Sequence, residues 1–332
     1  MSAEASVTGV HVEAPSDRRR NGDPSSAPRI ALVTADLDRH ARDLLRAFKA
    51  AGASVKAIEL ADIAYDTEAR HGLTMPHFGE DLPDAVCVRT MDSGSFEQVT
   101  RRLGVLHALS ALGVLVSNDA VSIERCVDKS MTSFRLARAG VPSPRSWAVE
   151  TRKEAERIVA AEKAPLVLKP LFGAQGKGLR LIESAGDLPA EEEIAGVYYL
   201  QRFAGSPASG RYGDYRVLVS GGRAAASMRR EAEHWITNIK QGASAMPTEP
   251  DVELEALAVA ATVAVGGSFC GVDLLRDANG VAQVIEVNSM PAWTGLEKAS
   301  GVDIPALRVR DLLAALAASR ARLAAGPLAS AG

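Results

Sequence analysis

The sequence predicts an α/β protein of three successive subdomains. Strand and helix patterns alternate from residue 29 onward, and short buried strands give way to longer ones near residue 200. RIALVTA, residues 29 to 35, reads as a buried strand. A helical stretch from about Asp38 to Ala51 and the strand SVKAIEL complete a β-α-β opening. After a loop containing HGLTMPHFGE come the strand AVCVRT, an amphipathic helix from about Phe96 to Leu112 and the strand GVLVSN. They close a small parallel N-terminal α/β domain over residues 29–120.

Residues 121 to 140 read as a helix carrying Asp128 and Lys129, stopped by Gly140 and the turn-rich VPSPRSW. RSWAVE, a helix over about Arg152 to Lys163, APLVLKP, a glycine-rich loop and GLRLIE fill out a central subdomain over 121–200. VYYLQRF, YRVLVSG and RAAASMRR begin the longer strands, and the C-terminal subdomain spans 201–325. Within it a helix from about Val252 to Val265 precedes the hairpin GVDLLRDANGVAQVIEVN, and a last helix, roughly Pro305 to Leu323, is expected on the outside. Residues 1–28, with almost no apolar pattern, read as a disordered leader, and 326–332 as a tail.

Apolar residues make up 47% and charged residues 24% of the 332, as in an ordinary soluble protein. A net charge of −3 without a basic stripe argues against nucleic acid as the main partner. Cys87, Cys126 and Cys270 lack ligand or disulfide spacing, which fits a reducing cytoplasm. No apolar run approaches the ~18 residues of a membrane helix. The cluster Arg18-Arg19-Arg20 is followed by NGDPSSAP rather than an apolar run, which argues against export.

The chemistry concentrates in the hairpin. Asn279-Gly280 between two apolar runs signals a two-residue type I′ turn. Ala278 then pairs with Val281, Asp273 faces Glu286, and Asn288 lies two residues further along the same face. Two facing carboxylates repel, so a compensating cation is expected, and hard oxygen donors suit magnesium and ATP chemistry.

Other residues are ambiguous alone. Lys169, ending PLVLK, is either a solvated charge or a buried phosphate partner. The loop Gly173 to Gly178, with Lys177, lets backbone amides approach a polyphosphate, yet it matches neither the P-loop nor the dinucleotide fingerprint. A flexible lid between two strands describes it better. Asp214 and Arg216 share a strand face, where they either bind ribose and phosphate or pair together. Only one of Arg229 and Arg230 can face a cleft. Trp293 is either a packing aromatic or an acceptor-stacking platform.

Five segments in order, VDKSMTSFRLARAGVPSPRSW, VLKPLFGAQGKGLRLIE, LQRF with GDYRVLV, SMRR with TNIKQGA, and GVDLL with VIEVNSMPAW, resemble the ATP-grasp superfamily, closest to its RimK-like glutamate-ligase branch. The likeness covers about residues 30 to 315 and implies an ATP-grasp fold with ATP between the central and C-terminal subdomains. It implies that Lys129 and Lys169 contact ATP phosphates, and that Gly173, Gln175, Gly176, Lys177 and Gly178 form the phosphate lid. Gln201, Arg202 and Phe203 become the adenine linker, while Asp214, with Arg216 on the same strand, touches the nucleotide. Asp273, Glu286 and Asn288 hold two magnesium or manganese ions, and Asn238, with Arg229 or Arg230, faces the γ-phosphate and acyl group.

The implied reaction joins a carboxylate to an amine through an acyl phosphate. Relatives carry an Arg two residues before the Asn and a His-Arg pair after it; this chain has Ile236, Lys240 and Gln241. The segment before Asp214 is expanded to GSPASGRYGD. WTGLEKASGVDI is similar to the glutamate-ligase branch and its archaeal tetrahydromethanopterin members. That likeness implies L-glutamate as the amine and a pterin-like cofactor or a peptide as the carboxylate, with the oligomeric state open. A dipeptide or glutathione-like synthetase and a small-molecule kinase of the same fold are the alternatives.

Overall fold

The computed structural model describes residues 27–173, 176–208 and 210–325. The expected leader up to residue 26, the tail from 326 and the lid residue Gln175 lie outside them. The first layer is a parallel sheet of β1 (Arg29–Val33), β2 (Ser54–Ile58), β5 (Ala85–Val88) and β6 (Leu115–Ser117) in the order β2-β1-β5-β6. A two-stranded ribbon, β3 (Ala64–Tyr65) with β4 (Leu73–Thr74), sits beside it. Ile30, Ala31, Leu32 and Val33 are all buried, as suits a central parallel strand covered on both faces. The covering helices are α1 (Arg39–Ala50), which Asp38 caps through Ala41 N at 2.7 Å, and α2 (Phe96–Ala111), which opens on a Ser95–Gln98 capping box.

The helix expected over 121–140 is two helices, α3 (Ala120–Val127) and α4 (Lys129–Arg138). Asp128 breaks it, because its carboxylate accepts from Ser130 N at 2.8 Å and Met131 N at 3.1 Å and starts a new helix. That break puts Lys129 at the first residue of α4. Cys126 and Leu136 from these helices are buried with Val217, Val272 and Val287 in the core under the C-terminal sheet.

The middle layer is antiparallel: β7 (Ser146–Val149), β8 (Leu166–Lys169), β9 (Arg180–Ile182) and β10 (Tyr198–Arg202) in the order β7-β10-β8-β9, covered by α5 (Arg152–Ala161). β10 runs through the subdomain boundary expected at residue 200.

The third layer is a five-stranded antiparallel sheet. Its strands are β11 (Tyr212–Ser220), β12 (Arg223–Ala232), β13 (Ser244–Met246), β14 (Phe269–Arg276) and β15 (Ala282–Asn288), in the order β13-β12-β11-β14-β15. α6 (Val252–Val265) backs this sheet, and α7 (Thr294–Ser300) and α8 (Ile304–Ala324) complete the chain.

The last helix is not on the outside. Ile304, Val309, Leu312 and Leu316 of α8 join Ile30 and Leu32 of the first sheet and Leu218 and Met228 of the third in one core. Buried Arg308 donates to Ser117 O at 2.8 Å and lies 4.5 Å from the Phe269 ring centroid. The helix therefore cements the first layer to the third. Asn118 adds a second joint, donating to Phe269 O and Ser289 O, both at 2.7 Å. Among the described residues no helix is long and apolar enough to cross a membrane. The three cysteines are free and buried.

Candidate active site

The β14–β15 hairpin reaches its expected facing pair by an unexpected route. Its strands end at paired Arg276 and Ala282, not at Ala278 and Val281. The connection is longer than a type I′ turn: Gly280, at φ +79°, donates to Asp277 O at 2.9 Å, and Asp277 N donates to Val281 O at 3.0 Å. The Asp277 carboxylate accepts from Asn279 N and Val281 N and draws the turn into this form. Near the turn the ladder is displaced by one residue, with Leu274 opposite Val284. A bulge between Asp273 and Leu274 leaves Ile285 as the extra residue and restores Asp273 opposite Glu286 and Gly271 opposite Asn288. The bulge also explains why consecutive residues Ile285 and Glu286 both line the same cleft.

The first compensating cations are arginines. Arg216 donates to both Asp273 oxygens at 2.7 Å, and Arg230 Nη2 lies 3.0 Å from Oδ2. Burial alone would raise the Asp273 pKa; the two guanidinium groups overcome it and hold the carboxyl down to about 2. Arg230 also grips Asp214, through Nε to Oδ1 at 2.6 Å and Nη2 to Oδ2. Asp214 and Arg216 therefore do not pair with each other. All of Asp214, Arg230 and Asp273 are under 5% exposed, and with Arg216 added the alternating formal charges of the chain sum to zero. Of the two consecutive arginines Arg230 faces the cleft, while Arg229 turns outward to Glu231 at 2.9 Å.

Across the cleft stand the lysines. Lys129 donates to Gly173 O at 2.9 Å and Leu171 O at 3.3 Å, tying α4 to the start of the lid. Lys169 is half-buried at the end of β8; burial, only partly offset by Glu286 and reinforced by Lys129, lowers its pKa to about 8. An ammonium kept short of counter-charge is poised to take an anion. Lid residues Gly173, Gly176 and Lys177 border the cleft; Gly178 lies behind them in the same turn.

The linker residues Gln201, Arg202 and Phe203 line the cleft's end, but the Arg202 amide donates to Arg145 O at 2.8 Å and the Phe203 amide to Pro165 O at 2.9 Å. Those two amides are spent within the sheet and cannot read a base edge. Asn238 lines the cleft and caps a short turn, its Oδ1 accepting from Lys240 N at 2.9 Å. Arg216 lies behind Asp273, and Asn288 lies beyond Glu286, both just off the cleft wall. Trp293 is packing rather than a platform: it is 2% exposed, with its ring 4.5 Å from His40, 5.9 Å from Phe269 and 5.2 Å from the Arg89 guanidinium.

Sequence reasoning missed the apolar slot of Val167, Leu179, Leu275 and Ile285, and the wall residues Tyr212, Trp235 and Thr237. Counting two residues from Lys169 and from Asp273 along their strands finds Val167 and Leu275. Ile285 escapes that count because of the bulge.

The cleft encloses about 980 Å³, part of it open to solvent. It is apolar where Val167, Leu179, Leu275 and Ile285 meet, and cationic at Lys129, Lys169 and Lys177. A flat base followed by a polyphosphate matches that order. Two carboxylates and an amide, all oxygen donors, suit a magnesium ion that takes its remaining ligands from phosphate and water. Glu286 fits this use, since its carboxylate makes no hydrogen bond among the described residues. Among the described residues no group of three histidine, cysteine or acidic side chains is placed to hold a metal ion.

Comparison with known proteins identifies the family. A family model described as a RimK-like ATP-grasp domain matches residues 126–312. Tetrahydromethanopterin:alpha-L-glutamate ligase of Methanococcus maripaludis is 35% identical over 228 residues, covering 67% of this chain and 76% of that protein. The protein of the same name from Methanosarcina acetivorans is 30% identical over 309 residues, covering 82% and 94%. Among solved structures, the ATP-grasp ligase PsnB complexed with minimal precursor, Mg and ADP has the same fold, with a TM-score of 0.65 at 21% identity over 87% of this chain and 98% of that one. The chain belongs to the RimK-like ATP-grasp family and is an ATP-dependent ligase.

Proposed function

We propose that the enzyme joins an amino acid, L-glutamate, to the carboxylate of a small pterin-like cofactor or of a peptide through an acyl phosphate. The observation that carries this reading is the facing pair Asp273 and Glu286 opposite Lys129, Lys169 and a glycine lid in one cleft. The two ligases 35% and 30% identical to it are named for adding glutamate to tetrahydromethanopterin, which supports the amine and the class of acceptor. The free, buried cysteines fit work in the cytoplasm.

In this reading the apolar slot holds the base and the lysines with the lid amides hold the phosphates. Asp273, Glu286 and Asn288 would hold the two magnesium ions, which would supply neutralisation of phosphate charge. The acceptor carboxylate attacks the γ-phosphorus, ADP leaves, and the amine of glutamate displaces phosphate from the acyl carbon, giving an amide, inorganic phosphate and a proton. Arg230 and Asn238 face the transferring group. The protein contributes position and charge, and no side chain becomes covalently linked.

The test is ADP release screened over amino acids paired with cofactor and peptide carboxylates, with mass spectrometry of the product. ADP formation that requires both partners, with the mass of a glutamyl residue added, supports the proposal. A stable phosphorylated product formed without an amine makes the enzyme a kinase and overturns it.

A further inference from the structure

The segment joining β12 to β13 touches both the roof and the floor of the cleft. On the roof side it is in close contact with Gly176: a Cβ there would lie 3.0 Å from both Ile236 Cγ2 and Gln241 Nε2, and 3.4 Å from Asn238 Cβ. On the floor side Thr237 Oγ1 donates to Asp214 Oδ2 at 2.7 Å. Asp214 is the outer end of the buried charge chain, and both its oxygens are already committed to Arg230. Its carboxylate is therefore an anchor for the guanidinium.

Arg230 in turn spends Nε on Asp214 and Nη2 on both Asp214 and Asp273. Nη1 makes no hydrogen bond among the described residues, although the side chain lines the cleft. A guanidinium held by two of its three nitrogens has its third fixed in direction.

We propose that Thr237 is a positioning residue. Through Asp214 it links the seating of the 235–242 segment under the lid to the aim of Arg230 and to the hold of Arg230 on Asp273. This rests on the nucleotide cleft proposed above. Metal that draws on Asp273 then alters the chain at one end, and lid closure over the triphosphate alters it at the other.

The test uses the full chain and the protein's own reporter. Trp235, one of three tryptophans, lies two residues before Thr237 and lines the cleft. Trp235→Phe identifies the part of the fluorescence change that belongs to this segment when a non-hydrolysable ATP analogue and then Mg2+ are added. In Thr237→Val the analogue still binds, the Mg2+-dependent part of that change disappears, and kcat falls about tenfold while KM for ATP moves less than threefold. Thr237→Ser, which keeps the hydroxyl, restores both.

Two results overturn the proposal. One is a Thr237→Val protein that keeps the Mg2+-dependent signal with kcat within twofold of the parent. The other is a loss that Thr237→Ser does not rescue, which marks a packing role. If the parent protein shows no saturable binding of the analogue, the cleft assignment itself fails and takes this inference with it.

Discussion

Two antiparallel hairpins face each other across the cleft and are built on opposite plans. In β14–β15 the strands meet through a short turn over residues 277–281, every residue of β14 but the last is buried, and one acid of the facing pair, Asp273, sits in a chain of guanidinium bonds. In β8–β9 the strands pair over three positions, β9 begins exposed, and the connection over residues 170–179 is rich in glycine. The contrast separates two tasks. A floor that places metal oxygens must resist change, whereas a roof that wraps a phosphate chain must yield to it.

Substitutions can break that contrast, and the largest effect belongs to the floor. Glu286→Gln keeps the shape and removes the charge from the one acid of the pair that no arginine holds. Magnesium-dependent ADP formation should fall by about a hundredfold or more. Unchanged turnover would remove Glu286 from the metal site.

Next is Asp214→Asn, which leaves buried Arg230 short of one anion. Breaking a buried ion pair from one side typically costs about 3 kcal/mol or more, so denaturant unfolding should show a loss of that order. A loss under about 1 kcal/mol would show that Asp273 alone carries Arg230 and that the floor is less tightly determined than its geometry implies.

On the roof, Gly176→Ala should shift function more than fold. At φ +70° a side chain is disfavoured, and its Cβ would press on Ile236 and Gln241. Stability should fall by only about 1 kcal/mol, while KM for ATP rises several-fold because the lid seats poorly. An equal loss at both hairpins, read as unfolding free energy, would erase the distinction between floor and roof.

The smallest effect at neutral pH is the titration of Lys169, whose pKa is lowered to about 8 by burial. Below that value the ammonium attracts polyphosphate, so nucleotide affinity should be flat; as pH rises through about 8 the charge is lost and affinity should weaken. Stability moves the other way. A lysine depressed from its ordinary 10.5 costs the fold while protonated, and that cost fades as pH rises from about 8 to 10.5. Isothermal titration from pH 7 to 9.5 checks the first sign, and Lys169→Met should flatten the profile.

Much of the scaffold could be read from residue order, because period and capping are local. Asp38 before α1 and the Ser95–Gln98 box before α2 announce their helices within four residues. Asp128 carried the same cap signal and was overridden by a helical pattern on both sides. The facing acids were legible for a reason that was only half right, since two one-residue displacements cancel along the strand. What stayed hidden spans long separations: Arg216 and Asp273 meet across 57 positions, and Ser117 and Arg308 across 191. Local pattern cannot say which arginine finds which acid. Nor does an Ala- and Leu-rich helix reveal that two sheets will share it.

Ile285 acts as a phase corrector for the strand that carries Glu286. A single-residue change in the 277–281 turn that is carried into the ladder, rather than absorbed in the loop, reverses which side of β15 points into the cleft, unless one residue is gained or lost again at the bulge. A single step that enters the ladder can be repaid at position 285, which keeps the acid in the cleft. For loop grafting this hairpin is a coupled pair of sites eight residues apart at most, and a homologous turn borrowed alone would arrive out of phase.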